Sequence, residues 1–235
     1  MALRDHYDAV VVGAGPNGLS AAITLGRTLE SVLLLEARPT VGGGTRSAQL
    51  TLPGFVHDIC ATAHPLGVAS PFFRDLNLSR YGVTWVHPEI VLAHPFDDGS
   101  ALFLHRSLDI TCDSLGPDGK AYRDLLSPFV ENHEQLLSHI LRPLHFPENP
   151  LLMGRFGMRA AGSARRLAER MFRVERTRAV FAGLCAHAMI PLEKAFTAAF
   201  GLVLATLAHA VGWPVVEGGS QGLANALATC FLDEG

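Results

Sequence analysis

Six residues near the start of the chain, Gly13-Ala14-Gly15-Pro16-Asn17-Gly18, have the types and spacing that let a backbone close around a diphosphate. Gly13 permits a tight turn, Gly15 has no Cβ to hold off a pyrophosphate, and Gly18 allows the following helix to pack closely. A carboxylate, Glu36, lies 23 residues after Gly13. At the end of a second strand it is placed to accept hydrogen bonds from ribose hydroxyls. Three consecutive glycines follow in Ala37-Arg38-Pro39-Thr40-Val41-Gly42-Gly43-Gly44-Thr45-Arg46, flanked by Arg38 and Arg46, which can neutralise phosphate charge. A second polar group, His57, Asp58, Cys60 and His64, sits among small residues that admit a planar ligand. His57, Asp58 and His64 are candidates for proton transfer, without the spacing of a triad. Cys60 reads as a buried free thiol rather than a nucleophile. The four cysteines are far apart and show no metal spacing, so no metal is expected.

These residues need a strand, a helix and a second strand to position them. Tyr7–Val12 reads as a buried strand, 16–29 as a helix with Pro16 in its first turn, and Ser31–Glu36 as the second strand. A helix of this kind directs its free N–H groups and positive dipole end at the phosphates. Together they form one βαβ unit of a dinucleotide-binding fold, a far more specific signal than the glycines alone.

Composition narrows the function classes. Hydrophobic residues make up 49% of the 235 and charged residues 17%, so the chain is not disordered. A net charge of −3 and the absence of a Lys/Arg run argue against nucleic acid. The N-terminus leads into the first strand without an apolar signal core, so a cytoplasmic location is expected.

Pro53-Gly54 marks a turn between two short strands of a hairpin spanning 49–58. A short helix is expected over 72–78 and strands over 83–86 and 90–93. A further strand over 101–104 returns after the turn at Asp97–Ser100. Ser107 is a plausible N-cap. After residue 118 the chain becomes increasingly helical. Apolar residues recur at helical spacing over 120–141, and Pro128 is expected to kink or split that helix. Six arginines between 162 and 178 read as a solvated helix face. The 17-residue apolar run 195–211 contains His209 and two threonines, and reads as a buried helix lining an apolar pocket rather than a membrane span.

The runs Gly13–Leu19, Leu33–Arg38 and Val41–Gly43 resemble the FAD-binding signature shared by amine oxidases and phytoene desaturases. The continuation through Gly44-Thr45-Arg46, Leu52–Cys60 and His64-Pro65, with the late Glu217–Leu227, is similar to the phytoene-dehydrogenase-like FAD-dependent oxidoreductases. Gly44 departs from the arginine that amine oxidases carry there, and Leu29 from the family's glycine helix cap. The resemblance implies an α/β, glutathione-reductase-type FAD domain with an inserted, mostly helical and partly β-hairpin substrate domain. On that basis 1–70 holds the FAD-binding core, 71–212 the substrate domain, and 213–235 the return toward the FAD domain. Gly13, Ala14, Gly15, Pro16, Asn17 and Gly18 would hold the pyrophosphate and Glu36 the ribose. Ala37 and Arg38 would lie toward the adenosine, and Gly42, Gly43, Gly44, Thr45 and Arg46 toward the flavin. Family members continue beyond this point, so the chain is expected to be the N-terminal portion of the fold.

The function implied is FAD-dependent removal of a hydride from an apolar substrate. An NAD-dependent dehydrogenase shares the fingerprint, and a catalytically incomplete nucleotide-binding fragment is the non-enzyme alternative. The partners expected are a hydrophobic small molecule and no nucleic acid. Peripheral membrane contact, a homo-oligomer and association with a separate C-terminal portion stay open. An exposed sheet edge or apolar patch is also expected.

Overall fold

The computed structural model describes residues 4–234; residues 1–3 and 235, which the sequence-based boundaries take in, lie outside the described residues. The elements in chain order are β1 (Ala9–Val12), α1 (Pro16–Gly26), β2 (Val32–Leu35), β3 (Ser47–Gln49), β4 (Val56–Asp58), α2 (Pro65–Ala69) and α3 (Pro71–Asp75). Then come β5 (Trp85–Val86), β6 (Ile90–Pro95), β7 (Ala101–His105), α4 (Leu108–Ser114), α5 (Gly119–Glu131), α6 (His133–Ile140) and α7 (Pro150–Ala160). The chain finishes with α8 (Ala164–Met171), α9 (Glu175–Cys185), α10 (Thr197–Ala210), β8 (Val215–Val216) and α11 (Gln221–Glu234). The fold is mixed α/β with a Rossmann-like βαβ start. Two compact units share it.

The first unit takes the chain up to His64, then Phe72–Val86, and then Pro214 onward. Its centre is the βαβ unit. β1 and β2 pair in parallel, Ala9 opposite Val32 through Val12 opposite Leu35. In α1 the buried residues Leu19, Ala22 and Ile23 form one stripe at helical spacing. That stripe packs on α11, whose Leu223, Leu227 and Cys230 are buried in the same core with Val83 and Val216. Each fully buried leucine contributes about 1.5–3 kcal/mol relative to leaving it in water. The other face of β1 is bare: Val10 is 54% and Val12 81% exposed. The strand is therefore not buried as the sequence reading has it: Ala9 and Val11 are half-covered and the alternate valines are exposed.

Local differences from the sequence reading have physical causes. α1 ends at Gly26, not at 29, because the Thr28 N–H turns back three residues to the Leu25 carbonyl and tightens the last turn. The strand read at 83–86 shortens to β5, and its partner is β8, 129–131 residues away. β3 and β4 form the expected antiparallel hairpin, with Ser47 opposite Asp58.

The second unit takes Pro65–Pro71 and His87–Trp213. β6 and β7 form its hairpin, and the Ser107 hydroxyl caps α4 by accepting from the Ile110 N–H at 3.3 Å. α5 buries Tyr122, Leu125, Leu126 and Phe129, and Phe129 meets Phe156 of α7 edge-on at 5.6 Å. The apolar run 195–211 becomes α10, whose Leu202, Ala205 and Ala208 lie in this core. Gly201 sets how closely it approaches α9, because a Cβ there would lie 2.2 Å from Cys185 Sγ. Among the described residues no helix is long and apolar enough to cross a membrane. The arginine-rich stretch divides into α8 and α9.

Pro128 does not split its helix. α5 runs through it to Glu131, and the Asp124 carbonyl that residue 128 would have filled accepts instead from Arg155 Nη2 at 3.3 Å. The break falls at Asn132, whose Nδ2 donates to the Pro128 carbonyl at 2.9 Å.

One buried polar pair lies within this core. The Tyr122 hydroxyl and His209 Nε2 are 2.9 Å apart, and His209 Nδ1 is 3.4 Å from the Arg106 carbonyl. These partners assign the proton to Nδ1, so that Nε2 accepts from the tyrosine. Burial pushes the His209 pKa down to about 4 and the Tyr122 phenol upward. The folded state therefore keeps His209 neutral where the unfolded chain takes up a proton. This contribution is complete above about pH 6.5 and is lost as pH falls toward 4. Its size is on the order of 3 kcal/mol at most. Urea unfolding should show a midpoint that falls between pH 6.5 and 4, and His209→Gln should lose less over that range. An unchanged difference between the two proteins across those pH values would refute the assignment. His64 and His94, whose pKa values burial also lowers, add to the remaining slope.

Candidate functional site

The glycine turn occupies the C-terminal end of β1, and its shape is fixed by one contact. A Cβ on Gly18 would lie 1.8 Å from the Gly13 carbonyl oxygen, a backbone atom that cannot move aside. Only glycine therefore lets α1 start this close to the turn. Gly13 itself has a φ of +100°, a conformation L side chains rarely adopt. Gly15 is the N-cap of α1 with an extended backbone (φ −74°), and no side chain caps the helix. The amides of Asn17 and Gly18 have no acceptor among the described residues. The helix thus presents unfilled donors and the positive end of its dipole at the turn. Ala14 is buried and Asn17 exposed.

The second glycine loop lies against the first, as expected from its place after β2. The Gly42 N–H donates to the Ala14 carbonyl at 2.7 Å. A Cβ on Gly43 would stand 3.1 Å from Gly15 Cα, so the two loops meet backbone to backbone. Thr45 is buried, and its hydroxyl donates to the Gly42 carbonyl at 2.7 Å. Arg46 Nε donates to the Gly43 carbonyl at 3.0 Å, fixing its stem beside the loop. Gly44 packs near Cys60, whose free thiol is exposed and not buried as the sequence reading has it.

Glu36 joins the two loops. Its Oε2 accepts from the Ala14 N–H at 2.8 Å and its Oε1 from the Arg38 N–H at 2.9 Å. The first of these bonds, then the second, holds its pKa below the usual carboxylate range. The sequence reading leaves this carboxylate free for ribose hydroxyls. In the structure each oxygen already holds a backbone amide and keeps lone-pair capacity for a further donor. Ala37 and Arg38 are exposed beside it.

His57, Asp58 and His64 are not brought together as an acid–base group. His57 points to the opposite face of β4 from Asp58 and bonds Thr51 Oγ1 at 2.8 Å on the exposed hairpin. Asp58 Oδ1 accepts from the Ser47 hydroxyl at 2.7 Å and the Ser220 N–H at 2.8 Å. His64 is buried with Nε2 2.7 Å from Ser220 Oγ, and that hydroxyl donates to the Ala61 carbonyl at 2.7 Å. His64 must therefore carry its proton on Nε2. Burial lowers its pKa, opposed by the charge of Asp58. Ser47 Oγ also accepts from the Gln221 N–H at 2.9 Å, and Gln221 Nε2 donates to the Val41 carbonyl at 3.1 Å. These bonds fasten the return segment at 219–221 to the loop that follows β2. Sequence reasoning did not single out Ser47, Ser220 or Gln221; the only signal was the Gly-Gly-Ser-Gln-Gly run at 218–222. Among the described residues no His/Cys/Asp/Glu group could hold a metal.

A parallel βαβ start with a glycine turn, uncapped helix amides and an ionised carboxylate at the second strand defines a dinucleotide-binding Rossmann-like site. Residues 11–76 match the family described as an NAD(P)-binding Rossmann-like domain. A limonene dehydrogenase polypeptide of Castellaniella defragrans is 28% identical over 134 residues, 55% of this chain and 24% of that protein. A putrescine oxidase structure superposes with a TM-score of 0.56 at 20% identity, covering 97% of this chain and 50% of that one. An oxidoreductase from Methanosarcina mazei superposes at 0.58 and 18% identity, covering 97% and 49%. At these identities the structural matches establish the fold. The chain spans about half the length of these solved structures, and its match covers about a quarter of the limonene dehydrogenase polypeptide. The fold and these oxidoreductase relatives are consistent with FAD as the dinucleotide.

The two glycines of the turn should separate in experiment. Gly18→Ala forces a backbone shift and should cost about 1–3 kcal/mol or more. Gly15→Ala meets only Gly43 Cα at 3.8 Å, an ordinary contact, and should leave stability within about 0.5 kcal/mol. Denaturant midpoints of the two variants measure this, and equal midpoints would contradict the steric account.

Proposed function

We propose that this chain forms the adenosine–pyrophosphate half of an FAD site in an FAD-dependent oxidoreductase. The observation that carries this reading is the meeting of Gly15 and Gly43 beside the unfilled amides of α1. Two glycine backbones meeting beside unfilled helix amides fit a diphosphate. Residues 13–18 would receive the pyrophosphate. Glu36, held ionised and oriented by two backbone amides, would accept from ribose hydroxyls. Arg38 would lie at the adenosine end, and Gly42, Gly43, Gly44, Thr45 and Arg46 toward the flavin.

When bound, FAD supplies a hydride acceptor at its flavin ring. The chain's own residues bind and orient. Buried Thr45 and the Ser47–Asp58–Ser220–His64 network hold the loop beside the site in one conformation. The hydrogen bonds of His57, Asp58 and His64 serve the hairpin and this network, so none is given the role of proton acceptor. The substrate class we favour is an apolar small molecule dehydrogenated at a C–H bond, as in phytoene-desaturase-like chemistry. Its support is the quoted sequence resemblance and a relative named for limonene, a hydrocarbon. An NAD-dependent reading is favoured by the description of the family matched at 11–76 and by relatives named for pyridine nucleotides.

Titration of the purified chain with FAD, followed by flavin fluorescence, should show saturable binding, with NAD binding much more weakly. Gly15→Ala should weaken FAD at least about tenfold, or about 1.4 kcal/mol, with unchanged stability. Tight NAD binding without FAD binding, or a Gly15→Ala variant that binds as well as the parent, would overturn the proposal.

A further inference from the structure

The second unit carries a hollow of about 490 Å³ along α7 and α8. Four arginines line it: Arg155 and Arg159, one turn apart on α7, and Arg166 and Arg170, one turn apart on α8. Met158 and Leu167 supply apolar wall between them. No carboxylate lines the hollow, and none pairs with these four arginines among the described residues. Like charges one helical turn apart repel each other, and here two such pairs face one cavity.

The cation excess is local. Arg165, next in sequence to Arg166, bonds Glu169 at 2.9 Å and Glu193 at 3.4 Å. A neighbouring hollow on the same helix is lined by Arg165 and Arg178 together with Glu169, Glu175 and Glu193. The carboxylates of this region therefore gather on one side of α8 and leave the other side unbalanced. Arg159 is the most enclosed of the four, and its Nη1 is buried without a hydrogen-bond partner. Its guanidinium sits 5.9 Å above the Phe129 ring, and burial, then Arg155 and Arg170, oppose its charge. The cluster of four uncompensated guanidinium groups is costly unless an anion balances it.

The end of α8 cannot be that donor set. Its first amides are already filled by Thr197 Oγ1, the Leu192 carbonyl and Ser163 Oγ. Recognition must come from side chains. Guanidinium forks match the oxygen geometry of phosphate and bind it bidentately.

We propose that this hollow binds a phosphate-bearing anion with an apolar substituent. The phosphate lies among Arg155, Arg159, Arg166 and Arg170, and the substituent against Met158 and Leu167. The site is independent of the dinucleotide reading, and its test needs no flavin.

Calorimetric titration of the full chain at low salt should show saturable binding of hexyl phosphate, weaker binding of inorganic phosphate, and none of hexanol. Arg166→Gln and Arg170→Gln replace exposed residues and should each weaken hexyl phosphate about tenfold, as should Arg159→Gln. Arg165→Gln should not. Sedimentation with phosphatidylglycerol vesicles then separates the two sources of the same chemistry. Arginine-dependent co-sedimentation identifies a lipid headgroup, and its absence alongside hexyl phosphate binding identifies a free ester. Failure of hexyl phosphate to saturate, or equal binding by the folded Arg166→Gln and Arg170→Gln variants, would overturn the proposal.

Discussion

The first unit depends on the space between two backbone segments where no side chain fits. Gly18 lies so close to the Gly13 carbonyl that the start of α1 is set by contact of main chain with main chain. That contact fixes where the helix begins and leaves its first amides open at the end of β1. It also brings the turn close enough for Glu36 to reach across from the end of β2. The second loop docks on the result, through Gly42 to Ala14 and Gly43 against Gly15. Each later feature of the site presupposes the first close approach. Main-chain geometry gives such a site little freedom to adjust, which suits a ligand whose diphosphate is invariant.

Positioning around the site relies on neutral and singly charged partners rather than on ion pairs. Asp58 is satisfied by a hydroxyl and an amide, His64 by a hydroxyl, and Glu36 by two amides. Such bonds are directional and resist salt better than exposed ion pairs. Ion pairs such as Lys120–Asp124, Arg165–Glu169 and Arg176–Asp98 join exposed side chains of the second unit.

Local signals in the sequence carried the start of the fold well. The Gly13–Gly18 turn, β1, α1, β2 and the 90–105 hairpin are encoded by residues close together in sequence, and spacing alone reveals them. The long-range bonds were not legible in the same way. Nothing in Val83–Val86 announces that its partner is Val215–Val216, and nothing in Ser47 announces Ser220 and Gln221. Pro128 shows a different limit. Its effect depended on whether a distant donor could reach the Asp124 carbonyl, and Arg155 does so from 31 residues away. His57, Asp58 and His64 looked like chemistry because polar residues among small ones look alike whether they meet a ligand or another loop. Their partners decide, and those partners are remote.

The first unit is discontinuous along the chain. Its core needs Leu223, Leu227 and Cys230 of α11, yet these follow the whole of the second unit. During synthesis, α1 must therefore wait with its apolar stripe uncovered while more than a hundred residues of the second unit emerge and pack. The second unit, whose segments Pro65–Pro71 and His87–Trp213 both precede α11, can complete itself first. Order of manufacture then runs opposite to order in the sequence: the part written first is finished last. The nascent glycine turn is exposed longest to proteases and to unwanted strand pairing at β1.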